Sequence, residues 1–375
     1  MTNQQNDFDT NFSDDTKALE NSQALKDEDK KPAKKPIKKG KKIIIIILCI
    51  LLGFLILLSS VAAALWFSGK NKLLDKDVEI KPADEIETEI YDDNTISYNG
   101  SLYRYNDAVT TVLCLGVDKR KVTGAPSGPI GNSGQADAIF LVVIDTNSGK
   151  TSVIALPRDA MADIELFSSN GTFAGTEKTQ LCLAYAYGNG KKTSCENTAR
   201  AVSRLLCGMP VNSYFAIDYR SIKTLHNAVG TVRVVPNETF SSFKKGVPVN
   251  LKGSQAFAYL QARNKNTLDA AYLRLERQLD YLKQYSVSAI NRTKNDITFP
   301  LKLYNRVVSN SITNIDASKV TYLATTVVSN KETASVDFIK LNGEYKKGKD
   351  NFSELYLDNT QIFETVLSLF YTKIK

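Results

Sequence analysis

The stretch ADAIFLVVIDTNSGKTSVIALPRD, residues 136–159, decides the fold of this chain. Two apolar runs of strand length, 138–144 and 151–157, flank the turn sequence DTNSGK, and similar runs, TVLCLGV and SYFAID, occupy 111–117 and 213–218. Runs that are apolar at nearly every position indicate strands covered on both faces. The sequence therefore predicts an α/β fold, layered α/β/α, with a mixed central sheet.

Helical patterns supply the layers that such a sheet needs. They recur at four places, about 194–207, 220–230, 253–263 and 271–290. We expect a single domain over 107–375, because no internal repeat or linker divides this part of the chain. Its core would span 109–290, and a C-terminal extension at 291–375 alternates helix and strand signals before an amphipathic helix.

The first hundred residues predict a membrane anchor ahead of that domain. Residues 1–42 are polar and predict a disordered cytoplasmic tail, which is rich in lysine at its end. Residues 43–67 contain no charge and are long enough for a transmembrane helix, with a cleaved signal peptide as the alternative. Lysines before the span predict a single-pass type II protein of the cell membrane, with the domain outside. The acidic stretch 68–106 predicts an extracytoplasmic stalk.

The lysine run at 30–42 has two further explanations, a solvated tail and nucleic-acid binding. It adjoins the apolar span and has no helix-turn-helix motif or interleaved aromatic residues. Contact with the anionic headgroups of the lipid bilayer therefore explains it better, and no nucleic-acid partner is expected.

Charged residues mark the ends of three apolar runs. Asp118 follows the first, Asp137 precedes the second and Arg158 follows the third. If the second strand runs antiparallel to the first, the two carboxylates share one sheet edge, where they can hold a divalent cation such as Mg²⁺ that bridges to phosphate oxygens. The alternative for each aspartate is an ordinary turn residue.

A second candidate site lies in the helical sequence LRLERQ. Arg274, Arg277 and Gln278 stand at i, i+3 and i+4, so they share one side of the helix. Two arginines so placed repel each other unless an anion lies near them, and arginine suits bidentate phosphate contacts. The alternative is a solvated helix face on which Glu276 softens the repulsion.

Other classes of site lack the residues they require. His226 is the only histidine, and it has no serine or acidic partner nearby in sequence, which excludes a Ser-His-Asp hydrolase. No Cys-x-x-Cys motif or Cys/His cluster predicts zinc. Cysteines can form lasting bridges outside the cell, and we predict a disulfide between Cys182 and Cys195.

From about residue 109 to 285 the chain resembles the LytR-CpsA-Psr family. The matching segments occur in family order: VLCLGVDKR, GQADAIFLVVIDTNSGKTSVIALPRD, LAYAYGNG, GMPVNSYFAIDYRSIKTLHNAVGTV, LKGSQAFAYLQAR and LRLERQ. The resemblance implies an extracytoplasmic phosphotransferase. Such proteins take a polyprenyl-diphosphate-linked glycopolymer and pass it, as a phosphodiester, to a peptidoglycan sugar hydroxyl with Mg²⁺ (or Mn²⁺) as cofactor.

The resemblance also assigns roles to residues of this chain. Asp118 and Asp137 would face the metal. The phosphates would be contacted by four arginines, Arg158, Arg263, Arg274 and Arg277. Gln278 would lie beside them in the substrate site, with Arg120 as a weaker candidate, and Asp159 would orient Arg158, although a role as base stays open.

Three departures from the family pattern leave the activity open. Gln261 stands where the family often has the first arginine of Arg-x-Arg, and Gln135 begins a run that often reads Arg-Ser-Asp-Thr. Ala271 replaces an aspartate, although Asp269 is near. Two alternatives to the transferase therefore stay open: a non-catalytic polyprenyl-diphosphate-binding protein, and a membrane-bound regulator of the cell envelope, since proteins of this family have been labelled transcriptional attenuators.

Overall fold

The computed structural model describes residues 63–375 apart from gaps at 72, 74–77, 92–93, 120–121, 124–130, 132–133, 169, 263–266, 268, 330–335 and 349–350. The predicted tail and residues 43–62 of the predicted transmembrane helix lie outside the described residues, so the membrane anchor stays a prediction. Residues 63–71 are helical. No helix within the described part of the chain is both long enough and apolar enough to cross a membrane.

Eight strands precede the helices at 183–205, and strands and helices are mixed in the rest of the described chain. The strands are β1 Glu89–Ile90, β2 Thr95–Tyr98, β3 Ser101–Tyr105, β4 Val109–Val117, β5 Ala136–Asp145, β6 Thr151–Leu156, β7 Met161–Phe167, β8 Phe173–Gln180, β9 Ser213–Asp218, β10 Val232–Val234, β11 Val249–Leu251, β12 Ser311–Thr313, β13 Val336–Lys340, β14 Gly343–Lys347, β15 Ser353–Leu357 and β16 Tyr371–Lys373. The α-helices are α1 Leu183–Ala186, α2 Lys192–Leu205, α3 Tyr219–Val229, α4 Gly253–Gln261, α5 Ala270–Asn295, α6 Phe299–Val307, α7 Ala317–Ser329 and α8 Asn359–Phe370, and Val308–Asn310 forms a 3₁₀ turn.

A six-stranded sheet with the order β12-β9-β4-β5-β6-β13 organises the fold. Its middle pairs, β4 with β5 and β5 with β6, are antiparallel. The strands β9 and β13 lie parallel to β4 and β6, and the edge strand β12 is antiparallel to β9. The sheet is therefore mixed, as the sequence predicts.

Both faces of this sheet are covered, which explains why its strands are apolar at nearly every position. Along β5, Leu141 and Val143 point into the main core, to which α2 and α8 also contribute. Phe140 points the other way and packs with Leu275 and Leu279 of α5. Alternate side chains of one strand thus enter two different apolar clusters.

The predicted stalk at 68–106 is wrong where it covers residues 89–105. Strands β1, β2 and β3 form a sheet with β16, the last strand of the chain, and Ile96 is buried in the main core. The C-terminal extension is likewise part of the domain, because Phe363 and Phe370 of α8 are buried in that core. The pairing of β3 with β16 joins segments far apart in sequence, and local residue patterns carry no signal for it.

Candidate functional site

The antiparallel pairing of β4 and β5 brings the two predicted metal ligands to one edge of the central sheet. Val117 pairs with Ala136, so Asp118 and Asp137 lie just beyond and just within the same end of the ladder. Backbone bonds tighten this corner: the Asp118 amide donates to the Gln135 carbonyl at 3.1 Å, and the Gln135 amide donates to Asp118 Oδ1 at 2.6 Å. The conditional prediction of a shared edge is therefore confirmed.

A cavity of about 440 Å³ opens beside this edge, between the sheet and helices α3, α4 and α5. Its apolar walls are formed by Gly116, Val117, Ala138, Ile217, Tyr219, Ile222, Phe257 and Leu260. Its polar lining consists of Asp118, Asp137, Asp218, Gln261, Arg274 and Gln278. The cavity can therefore accommodate a molecule that has both an apolar and a charged part.

Arg158 follows the buried strand β6 and reaches back to this edge. One terminal nitrogen, Nη1, donates to Asp137 Oδ1, and the other, Nη2, donates to Gln135 Oε1 at 2.6 Å and to Cys182 Sγ at 3.1 Å. Its Nε lies 3.2 Å from Asp159 Oδ1 without forming a hydrogen bond, so that contact is electrostatic. Burial opposes the charge, but the hydrogen bond to the Cys182 sulfur and the nearby carboxylates of Asp137 and Asp159 outweigh burial and raise the pKa of Arg158.

Arg274 enters the same cluster from helix α5. Its Nη1 lies 3.2 Å from Asp137 Oδ2, and its Nη2 donates to the Asp137 carbonyl at 3.3 Å. The side chain is only 5% exposed yet lines the cavity. Asp137 therefore holds two guanidinium groups, one on each carboxylate oxygen, and fixes both at the cavity edge.

Arg277 does not line the cavity. Its Nε donates to the Tyr259 carbonyl at 2.7 Å, its Nη1 to Glu238 Oε1 at 2.6 Å, and its Nη2 to the Ala262 carbonyl. The guanidinium stacks 4.1 Å from the centre of the Phe240 ring, and the side chain has no exposed area. Burial lowers the pKa of Arg277, opposed by Glu238. The residue is thus neither part of a solvated helix face nor aimed at the cavity.

Helix geometry explains why neighbours in LRLERQ separate. At about 100° per residue, positions i and i+4 lie about 40° apart, whereas i and i+3 lie about 60° apart on the other side. Arg274 and Gln278 consequently line the cavity together, and Gln278 Nε2 also donates to the Leu260 carbonyl at 3.2 Å. Arg277 points into the neighbouring interior.

Two predicted site residues, Arg120 and Arg263, lie outside the described residues. The predicted bridge between Cys182 and Cys195 is not formed, because both are free thiols. Cys182 precedes α1 and contacts Arg158, whereas Cys195 lies in the first turn of α2 and is buried in the main core. The two thiols therefore lie in different environments, one beside the cavity edge and one in the main core.

Sequence reasoning missed Asp218, which lines the cavity and whose side chain has no exposed area. It caps helix α3 by accepting from the Arg220 amide at 3.0 Å and pairs with the Arg220 guanidinium at 2.6 Å. The signal was available, since Asp218 ends an apolar strand just as Asp118 does. Because β9 lies parallel to β4, the two strand ends meet at the same edge.

The residues at the sheet edge fit a divalent cation that is shared with a phosphate ligand. Asp118 and Asp137 place two carboxylates at one edge of the cavity, next to the guanidinium groups of Arg158 and Arg274. The described residues contain no group of three or more His, Cys, Asp or Glu suited to a metal. Mg²⁺ nevertheless commonly takes only one or two carboxylates and completes its shell with water and phosphate oxygens.

Comparison with known proteins gives a consistent family assignment. Residues 66–369 match the profile of the LytR_cpsA_psr family. Two relatives are named polyisoprenyl-teichoic acid–peptidoglycan teichoic acid transferase TagU. The one from Enterococcus faecalis is 29% identical over 172 residues, which cover 45% of this chain and 50% of the relative. The one from Bacillus licheniformis is 23% identical over 235 residues, 61% of this chain and 64% of the relative.

The chain thus spans about half to two thirds of the length of these relatives. Among solved structures, the crystal structure of Bacillus subtilis TagV superimposes with a TM-score of 0.51 at 20% identity. The superposition covers 69% of this chain and 94% of TagV. This likeness shows that the two proteins share a fold.

Proposed function

The chain belongs to the LytR-CpsA-Psr family, and from that premise we propose that it transfers a teichoic-acid-like glycopolymer from a polyprenyl-diphosphate carrier to a sugar hydroxyl of peptidoglycan. The names of the TagU relatives support this reaction class. We further propose that residues 43–67 anchor the protein in the cell membrane, so that the domain meets the carrier where it emerges from the bilayer.

The observation that carries the proposal is the pairing of an apolar cavity with a charged edge. Phe257, Leu260 and Ile222 offer a wall for an isoprenoid chain. Arg274 lines the same cavity, and Asp137 joins it to Arg158. A polyprenyl diphosphate combines the same two features, a long apolar tail and a compact anionic head, in one molecule.

The reaction needs little covalent help from the protein. The acceptor hydroxyl oxygen bonds to the phosphorus that bears the polymer, and its proton is released to solvent water. The bridging bond of the diphosphate breaks, and polyprenyl phosphate leaves with the electron pair. Arg158 and Arg274 would position the phosphates and neutralise the charge on the leaving group, which are the main contributions in phosphoryl transfer.

We propose Mg²⁺ (or Mn²⁺) as the cofactor, held by Asp118 and Asp137. When bound, the ion would neutralise phosphate charge beside the carboxylates of Asp118 and Asp137. Asp137 would continue to orient the two arginines from its position on β5, and Asp118 would stay fixed by the Gln135 amide. Loss of either carboxylate should therefore abolish the dependence of transfer on added Mg²⁺, together with the activity.

Carrier binding without transfer is the second candidate. It is favoured by Gln261, which lines the cavity at a position where family members often have an arginine. One phosphate contact fewer would lower the rate of transfer more than it lowers binding, if that contact strengthens in the transition state.

A reconstitution assay distinguishes polymer transfer from carrier binding without transfer. Purified full-length protein is mixed with a polyprenyl-diphosphate-linked teichoic acid precursor, Mg²⁺ and peptidoglycan, and released polyprenyl phosphate is measured. We expect release, and a reduction of about ten- to a hundredfold in Arg158→Ala, since a charge-assisted phosphate contact contributes roughly 1.5–3 kcal/mol. Binding of the precursor without any release would establish the second candidate, and the absence of both would reject the site.

A further inference from the structure

Gln135 contacts both an aspartate and an arginine at the cavity edge. Its backbone amide and carbonyl both pair with Asp118, at 2.6 Å to the carboxylate and 3.1 Å to the backbone nitrogen. Its side-chain oxygen accepts a bond of 2.6 Å from Nη2 of Arg158. One residue therefore connects an aspartate and an arginine that belong to different strand ends.

The Gln135 side-chain oxygen is an uncharged acceptor, unlike the carboxylates around Arg158. Arg158 already faces the carboxylates of Asp137 and Asp159, and the same Nη2 also donates to the Cys182 thiol. Burial raises the pKa of that thiol to about 11, so Cys182 is neutral as well. The Nη2 side of the guanidinium is thus held by two uncharged groups, whereas the carboxylates lie at Nη1 and Nε.

A neutral acceptor fixes a guanidinium without cancelling its charge. A carboxylate in the same position would hold Arg158 at least as firmly, but it would add negative charge where a phosphate has to approach. A side chain without an acceptor would leave Nη2 with the weak sulfur acceptor alone. The Gln135 amide satisfies both requirements, because its oxygen accepts from Arg158 and carries no net charge.

We propose that Gln135 is a positioning residue for the diphosphate: it orients Arg158 through an uncharged oxygen and sets the spacing between that guanidinium and Asp118. This inference rests on the proposed function, because it assumes a diphosphate at the cavity edge. It predicts that Gln135 acts on the ligand through Arg158 and has no separate contribution to its affinity.

The test measures binding of farnesyl diphosphate, a short polyprenyl diphosphate, to the full-length protein in detergent with Mg²⁺. Gln135→Met keeps the length of the side chain and removes the acceptor, and it should weaken binding about five- to tenfold. Gln135→Glu keeps the acceptor and adds a charge, and it should weaken binding more than Gln135→Met does. The matched control is Gln361→Met, because Gln361 accepts from the Asn342 amide at 2.7 Å and does not line the cavity.

A double-mutant cycle with Arg158→Ala tests whether Gln135 affects binding through Arg158. If Gln135 acts through Arg158, Gln135→Met should cause no further loss in the Arg158→Ala background. A purely structural role predicts instead that Gln135→Glu binds like the parent, or that the two losses add, and either result would overturn the inference. A parent protein that does not bind farnesyl diphosphate would reject the proposed function, and the inference with it.

Discussion

Replacement of Arg277 by methionine separates a structural arginine from a phosphate ligand. The guanidinium has no exposed area and donates to Glu238 and to the carbonyls of Tyr259 and Ala262. Arg277→Met keeps an unbranched apolar side chain, but it removes the guanidinium that stacks on Phe240 and leaves a carboxylate and two carbonyl groups without their donor. The prediction is a less stable protein with an intact cavity edge.

The size of the effect follows from the burial of both partners. Breaking a buried ion pair costs about 3–5 kcal/mol, and the lower end applies because the Glu238 side chain is 28% exposed. For a domain of this size, about 1 kcal/mol corresponds to roughly 2–4 °C in the unfolding temperature. Arg277→Met should therefore lower the unfolding temperature by about 6–12 °C.

The matched control is Arg274→Met, three residues earlier on the same helix. Arg274 lines the cavity, and its loss leaves Asp137 paired with Arg158. Because Asp137 keeps its pair with Arg158, this variant should lower the unfolding temperature clearly less than Arg277→Met does, while losing diphosphate binding. Thermal unfolding and farnesyl diphosphate titration of the full-length variants measure both properties. An Arg277→Met protein as stable as the parent, yet unable to bind, would refute this reasoning.

Three further predictions follow from buried groups and from topology. His226 Nε2 donates to the Leu251 carbonyl at 2.9 Å, and Nδ1 of the neutral ring accepts from the Tyr281 hydroxyl at 3.0 Å. Burial lowers the pKa of His226. The unfolded chain therefore takes up a proton more readily than the folded one, so stability is full above about pH 6.5 and falls as the pH drops below it. Thermal unfolding should show a weaker loss between about pH 7 and 5 in His226→Gln. Cys182 and Cys195 should both react with iodoacetamide after the protein is unfolded without reductant, since both are free thiols. Neither should react in the folded protein, because burial raises the pKa of Cys182 to about 11 and that of Cys195 to about 12. A bridged peptide in non-reducing mapping would contradict this prediction. Protease added to intact protoplasts should digest the chain beyond about residue 70, and protection of the large domain would reverse the proposed topology.

The sheet was predictable from sequence because its strands are buried on both faces. SYFAID coincides with β9, Ser213–Asp218, and TVLCLGV lies within β4, Val109–Val117. Continuous apolar character, rather than alternation, carries that signal. The shared edge of Asp118 and Asp137 was predicted only on the condition that their two strands run antiparallel, and the pairing of β4 with β5 meets that condition.

Contacts between distant segments were not predictable in the same way. Periodicity put Arg274 and Arg277 on one side of a helix, but it could not reveal that Glu238 and Phe240 occupy the interior next to the second arginine. The role of Gln135 depends on Arg158, 23 residues later, and a lone glutamine in a loop has no pattern of its own. Residue types indicated the chemistry of the site, whereas the partners of each charge became visible only in the folded chain.

The central claim is that the cavity beside Asp118, Asp137 and Arg274 holds a polyprenyl diphosphate. Mass spectrometry of the lipids that co-purify with the full-length protein from its own membranes tests this claim most directly. We expect a polyprenyl-diphosphate-linked glycopolymer with the parent protein, and much less of it with Arg274→Met at equal protein yield. Recovery of no such lipid with the parent, or of equal amounts with both proteins, would contradict the account.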